Sequence, residues 1–297
     1  MKTLEISARI DIQNILFPTD FSPVSDKAIP YATEFAKRFG AALCALHVRP
    51  PVINPMTDPA TWGVLEKNAQ EEADAQKKLL VKFFPEIKPE IMIEEGDFWQ
   101  ILQTTIENHH TGLIVLGTRG RSGAGKFFLG SKAEEIFRRA SCAVLTVGPH
   151  SQTEAPRNGD IAEILYATDF SPESSAAASY AISLAEEFKA HLTLLHVIAE
   201  PQPGNLVSAA ELVAASERRL REIVPADAEI WCAPQFAVAQ GPVAEKILAI
   251  GNRKDADLII LGVRRPTGFP GAATHLPIAT AHKVVAQAKC PVLTVRE

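Results

Sequence analysis

Apolar residues recur in two rhythms along this chain. Short runs such as Leu113–Gly117 (LIVLG) and Leu258–Gly262 (LIILG) are apolar at successive positions, whereas longer segments carry apolar residues at helical spacing. Successive apolar positions suit a parallel strand covered by helices on both faces. The first half predicts strands at Asn14–Thr19, Ala42–Val48, Glu90–Glu94, Leu113–Gly117 and Ala143–Val147. Between them the spacing predicts helices over Val24–Phe39, Asn68–Phe84, Phe98–His109 and Ser131–Ala140. The second half predicts strands at Ile161–Thr168, His191–Ile198, Glu229–Ala233, Leu258–Gly262 and Val292–Val295. Its helices fall at Ser174–Lys189, Ala209–Ile223, Val243–Arg253 and Leu276–Ala288. Strict alternation implies right-handed crossovers, hence an α/β chain of two doubly wound parallel five-stranded sheets.

The halves are copies of one unit. Ile15–Pro23 (ILFPTDFSP) recurs as Ile164–Pro172 (ILYATDFSP), and Cys142–Val147 (CAVLTV) recurs as Cys290–Val295 (CPVLTV). Leu46-His47-Val48 recurs as Leu195-His196-Val197. The polar, Pro/Gly-bearing stretch Gly148–Asp160 separates them and reads as a linker, giving domains 1–150 and 160–297. The closing strand of each copy is β-rich, and an unpaired edge exposes a row of backbone donors and acceptors, so pairing of copy one with copy two is expected.

Composition narrows the function classes. The 297 residues are 46% hydrophobic, carry a formal net charge of -5 and hold 4 cysteines, too few for a disulfide framework at this length. Without a basic block nothing supplies phosphate-neutralising charge for nucleic acid, so no nucleic-acid partner is expected. No apolar run approaches the ~20 residues of a membrane span and no leader is visible, so the expectation is a soluble, cytoplasmic protein with no membrane partner.

Ligands of doubly wound sheets bind at strand carboxyl ends near the point where strand order reverses. The loop after the fourth strand, Gly117–Glu135 (GTRGRSGAGKFFLGSKAEE), is rich in glycine and carries Arg119, Arg121, Lys126 and Lys132. Glycine lets backbone N–H groups turn inward around an anion, and Gly130-Ser131 opens the next helix, whose first N–H groups face out. Ser131 with Glu134 also has the spacing of a capping box. Within this loop Gly120–Phe127 matches a P-loop save that Phe127 stands where a metal-binding hydroxyl is needed.

The better match is Gly117, Gly120 and, after nine residues, Gly130-Ser131. With Pro18-Thr19-Asp20 ending the first strand and CAVLTV closing the unit, the chain resembles the universal stress protein family across both copies. The resemblance implies a Rossmann-like fold of the adenine nucleotide alpha hydrolase type. It further implies ATP, with or without Mg2+, as ligand of copy one. The phosphates would lie on Leu116, Gly117, Arg119, Gly120, Gly130, Ser131 and Lys132. Asp20, beside Pro18 and Thr19, would accept from ribose or adenine, and the Val48 main chain would contact adenine. The family pattern further implies that the halves pair as a pseudo-dimer, and it leaves a homodimer open.

In copy two Arg265 replaces the second glycine and His275-Leu276 replaces Gly-Ser, while Asp169 and Val197 persist. Weak ATP binding or none is expected there. His47 and His196 read as buried, hydrogen-bonded residues, and His109-His110 as a solvated helix end. No catalytic triad and no metal cluster is evident. The leading function is a stress-response module that holds ATP; a slow ATPase or phospho- or nucleotidyl-transfer enzyme, and a ligand-free interaction scaffold, are the alternatives.

Overall fold

A computed structural model describes residues 10–51, 59–118, 129–151, 161–199, 208–225, 233–264 and 276–296. The N-terminal half runs β1 (Asn14–Pro18), α1 (Pro23–Asp26), α2 (Ile29–Phe39), β2 (Ala42–Arg49), α3 (Pro59–Phe83), β3 (Glu90–Glu95), α4 (Phe98–Asn108), β4 (Leu113–Gly117), α5 (Ser131–Arg139) and β5 (Ala143–Val147). The C-terminal half runs β6 (Glu163–Thr168), α6 (Pro172–Phe188), β7 (His191–Ile198), α7 (Ala209–Ile223), β8 (Gln235–Gln240), α8 (Val243–Arg253), β9 (Leu258–Gly262), α9 (Leu276–Gln287) and β10 (Val292–Val295).

The two five-stranded sheets are joined into one, in the order β3-β2-β1-β4-β5-β10-β9-β6-β7-β8. Strands are parallel within each half, and β5 meets β10 antiparallel with Leu145 opposite Leu293. The Thr146 hydroxyl donates to the Val292 carbonyl at 3.0 Å, and the Thr294 hydroxyl donates to the Val144 carbonyl at 3.3 Å. The closing strands thereby satisfy one another. Order reverses between β1 and β4 and again between β6 and β9, which opens a crevice at the carboxyl end of each half.

Successive strand residues feed opposite faces, as the pleat demands. Ile15 and Phe17 join a core with α2, α3, α6 and α7 residues that is continuous across both halves, where Phe35 packs on Phe188 at 5.4 Å. Leu16 enters the opposite face with Leu102 of α4 and Ile136 of α5, and in the C-terminal half Leu165 faces Ile247 of α8 and Val284 of α9.

Three expectations change: the helix expected from Asn68 begins instead at Pro59, as α3. The helix expected over Val24–Phe39 is broken into α1 and α2, because Pro30 fits only the first turn of a new helix. Copy two has Ser179 at that place and its α6 is continuous. The strand expected at Glu229–Ala233 is instead β8, Gln235–Gln240; residues 229–232 lie outside the described ones. Gln235–Gln240 follows Pro234 and ends at Gly241 (φ 124), the counterpart of Gly96 (φ 148) after β3.

Candidate functional site

The Thr-Asp-Phe-Ser motif folds the same way twice. Strand β1 ends at Pro18, and the chain turns through Phe21 at φ 56; β6 is followed by the same turn at Phe170, φ 61. A bulky residue at positive φ is strained and persists only where its surroundings fix it. Thr19 Oγ1 accepts the Phe21 N–H at 3.0 Å, and the Phe21 ring lies 4.7 Å from the His47 ring. His47 Nδ1 lies 2.7 Å from the Thr19 carbonyl, an arrangement that puts the proton on Nδ1. Burial lowers the His47 pKa from 6.5 against the opposing Thr19 hydrogen bond, with Lys132 and Arg49 lowering it further.

This turn aims Asp20 at the crevice. Its Oδ1 accepts the Ser22 N–H at 3.0 Å and the Ser25 hydroxyl at 2.9 Å. Burial raises the carboxyl pKa, but the hydrogen bonds from Ser22 and Ser25 outweigh it and hold the group below 3.8. The N-cap of α1 is Ser22, whose hydroxyl accepts the Ser25 N–H at 3.2 Å.

Across the crevice β2 outruns β1. Leu46 turns its carbonyl to the Thr19 N–H at 2.9 Å, and Arg49 turns its own to Gly96. By alternation Val48 presents its N–H and C=O on the β1 side, past the end of β1, where no strand partner exists among the described residues.

The far wall is the start of α5. Ser131 is the first helical residue and Gly130 the N-cap, with no side-chain cap, which corrects the capping-box expectation. Glu134 pairs instead with Arg138 at 2.8 Å. Gly130 donates its N–H to the Thr118 carbonyl at 2.6 Å, and the N–H groups of Ser131, Lys132 and Ala133 are left as first-turn donors at the positive end of the helix dipole. The Lys132 ammonium lies 4.5 Å over the Phe98 ring.

Of the residues expected at the site, Pro18, Thr19, Asp20, Val48, Leu116, Gly117, Gly130, Ser131 and Lys132 line one pocket of ≈ 290 Å³; Arg119 and Gly120 lie outside the described residues. Ser25, His47, Phe98, Ala133 and Ile136 also line it. Ser25 was legible in principle, since it recurs as Ser174 behind the same motif; Phe98 and Ile136 carry no sequence signal beyond apolarity.

Copy two holds a second pocket of ≈ 190 Å³ at the equivalent place, lined by Asp169, Val197 and Gly262. Asp169 repeats the bonds of Asp20, accepting from Ser171 N–H at 3.0 Å and Ser174 Oγ at 2.6 Å. Arg264, the counterpart of Arg119, lies 3.4 Å from Glu173, where copy one has Val24.

Other chemistry is quiet. Burial pushes the thiols of Cys44, Cys142 and Cys290 up to about 12, which leaves them unreactive. Among the described residues no cluster of three or more metal-ligating side chains occurs, and no helix is long and apolar enough to cross a membrane.

The model of the universal stress protein family matches residues 11–148 and again 161–296. A universal stress protein of Methanocaldococcus jannaschii is 33% identical over 140 residues, covering 46% of this chain and 81% of that protein. One of Mycobacterium tuberculosis is 25% identical over 262 residues, covering 82% of both chains. The crystal structure of a universal stress protein from Archaeoglobus fulgidus shares the fold over 97% of this chain and 99% of its own, with a TM-score of 0.71 and 21% identity.

Proposed function

The chain belongs to the universal stress protein family, in two tandem domains, and from that premise we propose that its N-terminal pocket binds an adenine nucleotide, ATP in the first place. The observation that carries the proposal is the convergence on one crevice of a half-buried carboxylate, main chain beyond the end of β1 and a helix N-terminus without a side-chain cap. Each matches one part of the ligand. The Asp20 carboxylate accepts ribose hydroxyls. The outward N–H and C=O of Val48 match the donor and acceptor edge of adenine, with Leu116 and Ile136 as apolar walls. The first-turn N–H groups of α5 and the Lys132 ammonium receive phosphate oxygens. Thr118 and Gly130 bracket the glycine-rich loop, and their mutual hydrogen bond sets its ends at the phosphate side. Mg2+ would neutralise charge on the phosphate tail.

The proposed role is to hold ATP as a signal in stress response. A carboxylate kept below its ordinary pKa is a weak general base, so Asp20 suits recognition better than the activation of water. On this reading the C-terminal half binds ATP weakly or not at all, because Arg265 and His275-Leu276 stand where the N-terminal loop has Gly120 and Gly130-Ser131.

Two variants of the full chain test this. Lys132→Ala should weaken ATP about tenfold and adenosine little, since the lost contact is with phosphate. Asp20→Asn should weaken both. Undiminished ATP affinity in both variants would refute the assignment.

A further inference from the structure

The ten-stranded sheet ends in two edges, β3 and β8, and among the described residues neither has a strand on its outer side. The main chain shows which residues face out. Gly96 donates its N–H to the Arg49 carbonyl, and Gly241 donates its own to the Ile198 carbonyl. By alternation Ile91, Ile93 and Glu95 of β3, and Phe236, Val238 and Gln240 of β8, turn their N–H and C=O groups away from the sheet. The side chains of Ile91, Ile93, Phe236 and Val238 lie on one face, against the core shared by α2, α3, α6 and α7.

The halves meet antiparallel at β5 and β10, so β3 and β8 run in opposite directions. A second copy that continues the sheet, with its α3 and α7 on the same side, therefore lays its β8 antiparallel along β3. In one register Ile93 faces Val238 of the second copy, Ile91 faces its Gln240 and Glu95 its Phe236. These are the residues whose amides and carbonyls are turned out on both strands, so hydrogen bonding and side-chain face are in phase.

The two edges also differ in charge. Strand β3 brings Glu90, Glu94 and Glu95, of which Glu90 and Glu95 keep 61% and 37% of their side chains exposed beside His109 and Arg49. Strand β8 (QFAVAQ) has no charge of its own but is flanked by cations. Lys246 lies against Gly241, where a methyl group would meet its Cε at 2.9 Å; Lys254 donates to the Gln235 side chain; Arg221 lies 4.5 Å over the Phe236 ring. The register puts Glu90 opposite Gly241 and so beside Lys246, Glu94 diagonal to Gln235 and so toward Lys254, and Glu95 opposite Phe236 and so beside Arg221. Like edges fit worse: β8 on β8 sets Lys246 against Lys254, and β3 on β3 gathers the carboxylates of both copies.

We propose that this chain associates with further copies of itself edge to edge, β3 of one against β8 of the next. The contact is heterologous, so assembly does not close at two chains and grows as an open row, each chain turned by the twist of the sheet. A single strand edge is a small interface that pairs transiently, and its exposed ion pairs weaken as salt is raised.

Sedimentation velocity on the full chain at low salt and rising concentration tests this. The weight-average sedimentation coefficient should climb past that of a dimer and fall back when salt is added. Two charge-reversed chains then decide the pairing: Glu90→Lys with Glu94→Lys, and Lys246→Glu with Lys254→Glu, each checked for a native circular dichroism spectrum. Each alone should stay monomeric, because its two edges now carry the same sign. An equal mixture should associate again, since every β3 then meets a β8 of opposite sign. Val238→Pro removes an N–H turned away from β7, which an edge strand tolerates, and should abolish association with the charges intact. The proposal is overturned if the natural chain stays monomeric up to millimolar concentration or stops at a dimer. It is equally overturned if a reversed chain or Val238→Pro associates like the natural one, or if the mixture of folded reversed chains does not associate.

Discussion

Gly117 ends β4 so close to α1 that a methyl group on its α-carbon would lie 2.4 Å from the Val24 carbonyl oxygen. Gly262 stands in the same relation to Glu173, also at 2.4 Å. The first glycine of the loop pattern is thus fixed by the packing of a helix end on a strand end, in the copy that keeps the rest of the pattern and in the copy that has lost it. Gly117→Ala and Gly262→Ala should each destabilise the chain by ~1–3 kcal/mol, the usual result of forcing extra volume into packed backbone. Denaturant unfolding without nucleotide checks this; an unchanged midpoint would show that α1 moves away freely.

Ser25 holds the recognition carboxylate from behind. Removing its hydroxyl in Ser25→Ala takes one hydrogen bond from Asp20 Oδ1 and should raise the Asp20 pKa toward its ordinary value. The sign of the linked stability follows. A carboxyl depressed in the folded state stabilises above its unfolded pKa of 3.8, and that contribution is lost as pH falls through the lowered folded value. Carboxyl NMR titration should show the Asp20 transition moving up in pH in the variant, with ATP affinity down by about three- to tenfold.

His47 and His196 add to this acid sensitivity, at higher pH. Burial lowers both from 6.5, against the hydrogen bonds to the Thr19 and Thr168 carbonyls. The folded chain therefore binds fewer protons than the unfolded one just below pH 6.5, and stability must fall as pH drops from there toward the folded pKa values. In thermal unfolding between pH 7.5 and about 5, the double variant His47→Gln, His196→Gln should lose much of that slope. An unaltered slope would place the acid sensitivity elsewhere.

Much of this fold was legible because the chain is written twice. Nine of the ten strands sit at or within two residues of where apolar runs put them, since a strand buried on both faces has no polar alternation to mislead. The misplaced β8 had a readable anchor in Gly241, which stands after it as Gly96 stands after β3. The α1–α2 break was written in Pro30 against Ser179. At the site, Asp20 and the α5 start were legible as motif residues. Phe98 and Ile136 were not, because an apolar side chain that walls a crevice has the same sequence signature as one in the core. Ser131 misled because a capping-box spacing does not reveal which residue is the cap; Gly130 took that place, and the first turn stayed open.

The β5–β10 seam joins the sheets of the two domains, and cooperative unfolding is expected of it. The carbonyls of Pro291 and Val295 point to β9, so Thr294 presents its N–H to β5. Thr294→Pro removes that donor and the hydroxyl bonded to Val144 together. Calorimetry should show a single transition for the natural chain and two for the variant. One unchanged transition in the variant would mean that the continuous helix-side core around Phe35 and Phe188 suffices to couple the halves.

The most direct measurement is a calorimetric titration of the full chain with ATP in the presence of magnesium. One nucleotide bound per chain, with binding weakened by Asp20→Asn, is the predicted result. No measurable heat of binding, or two equivalent nucleotides per chain, would contradict the account.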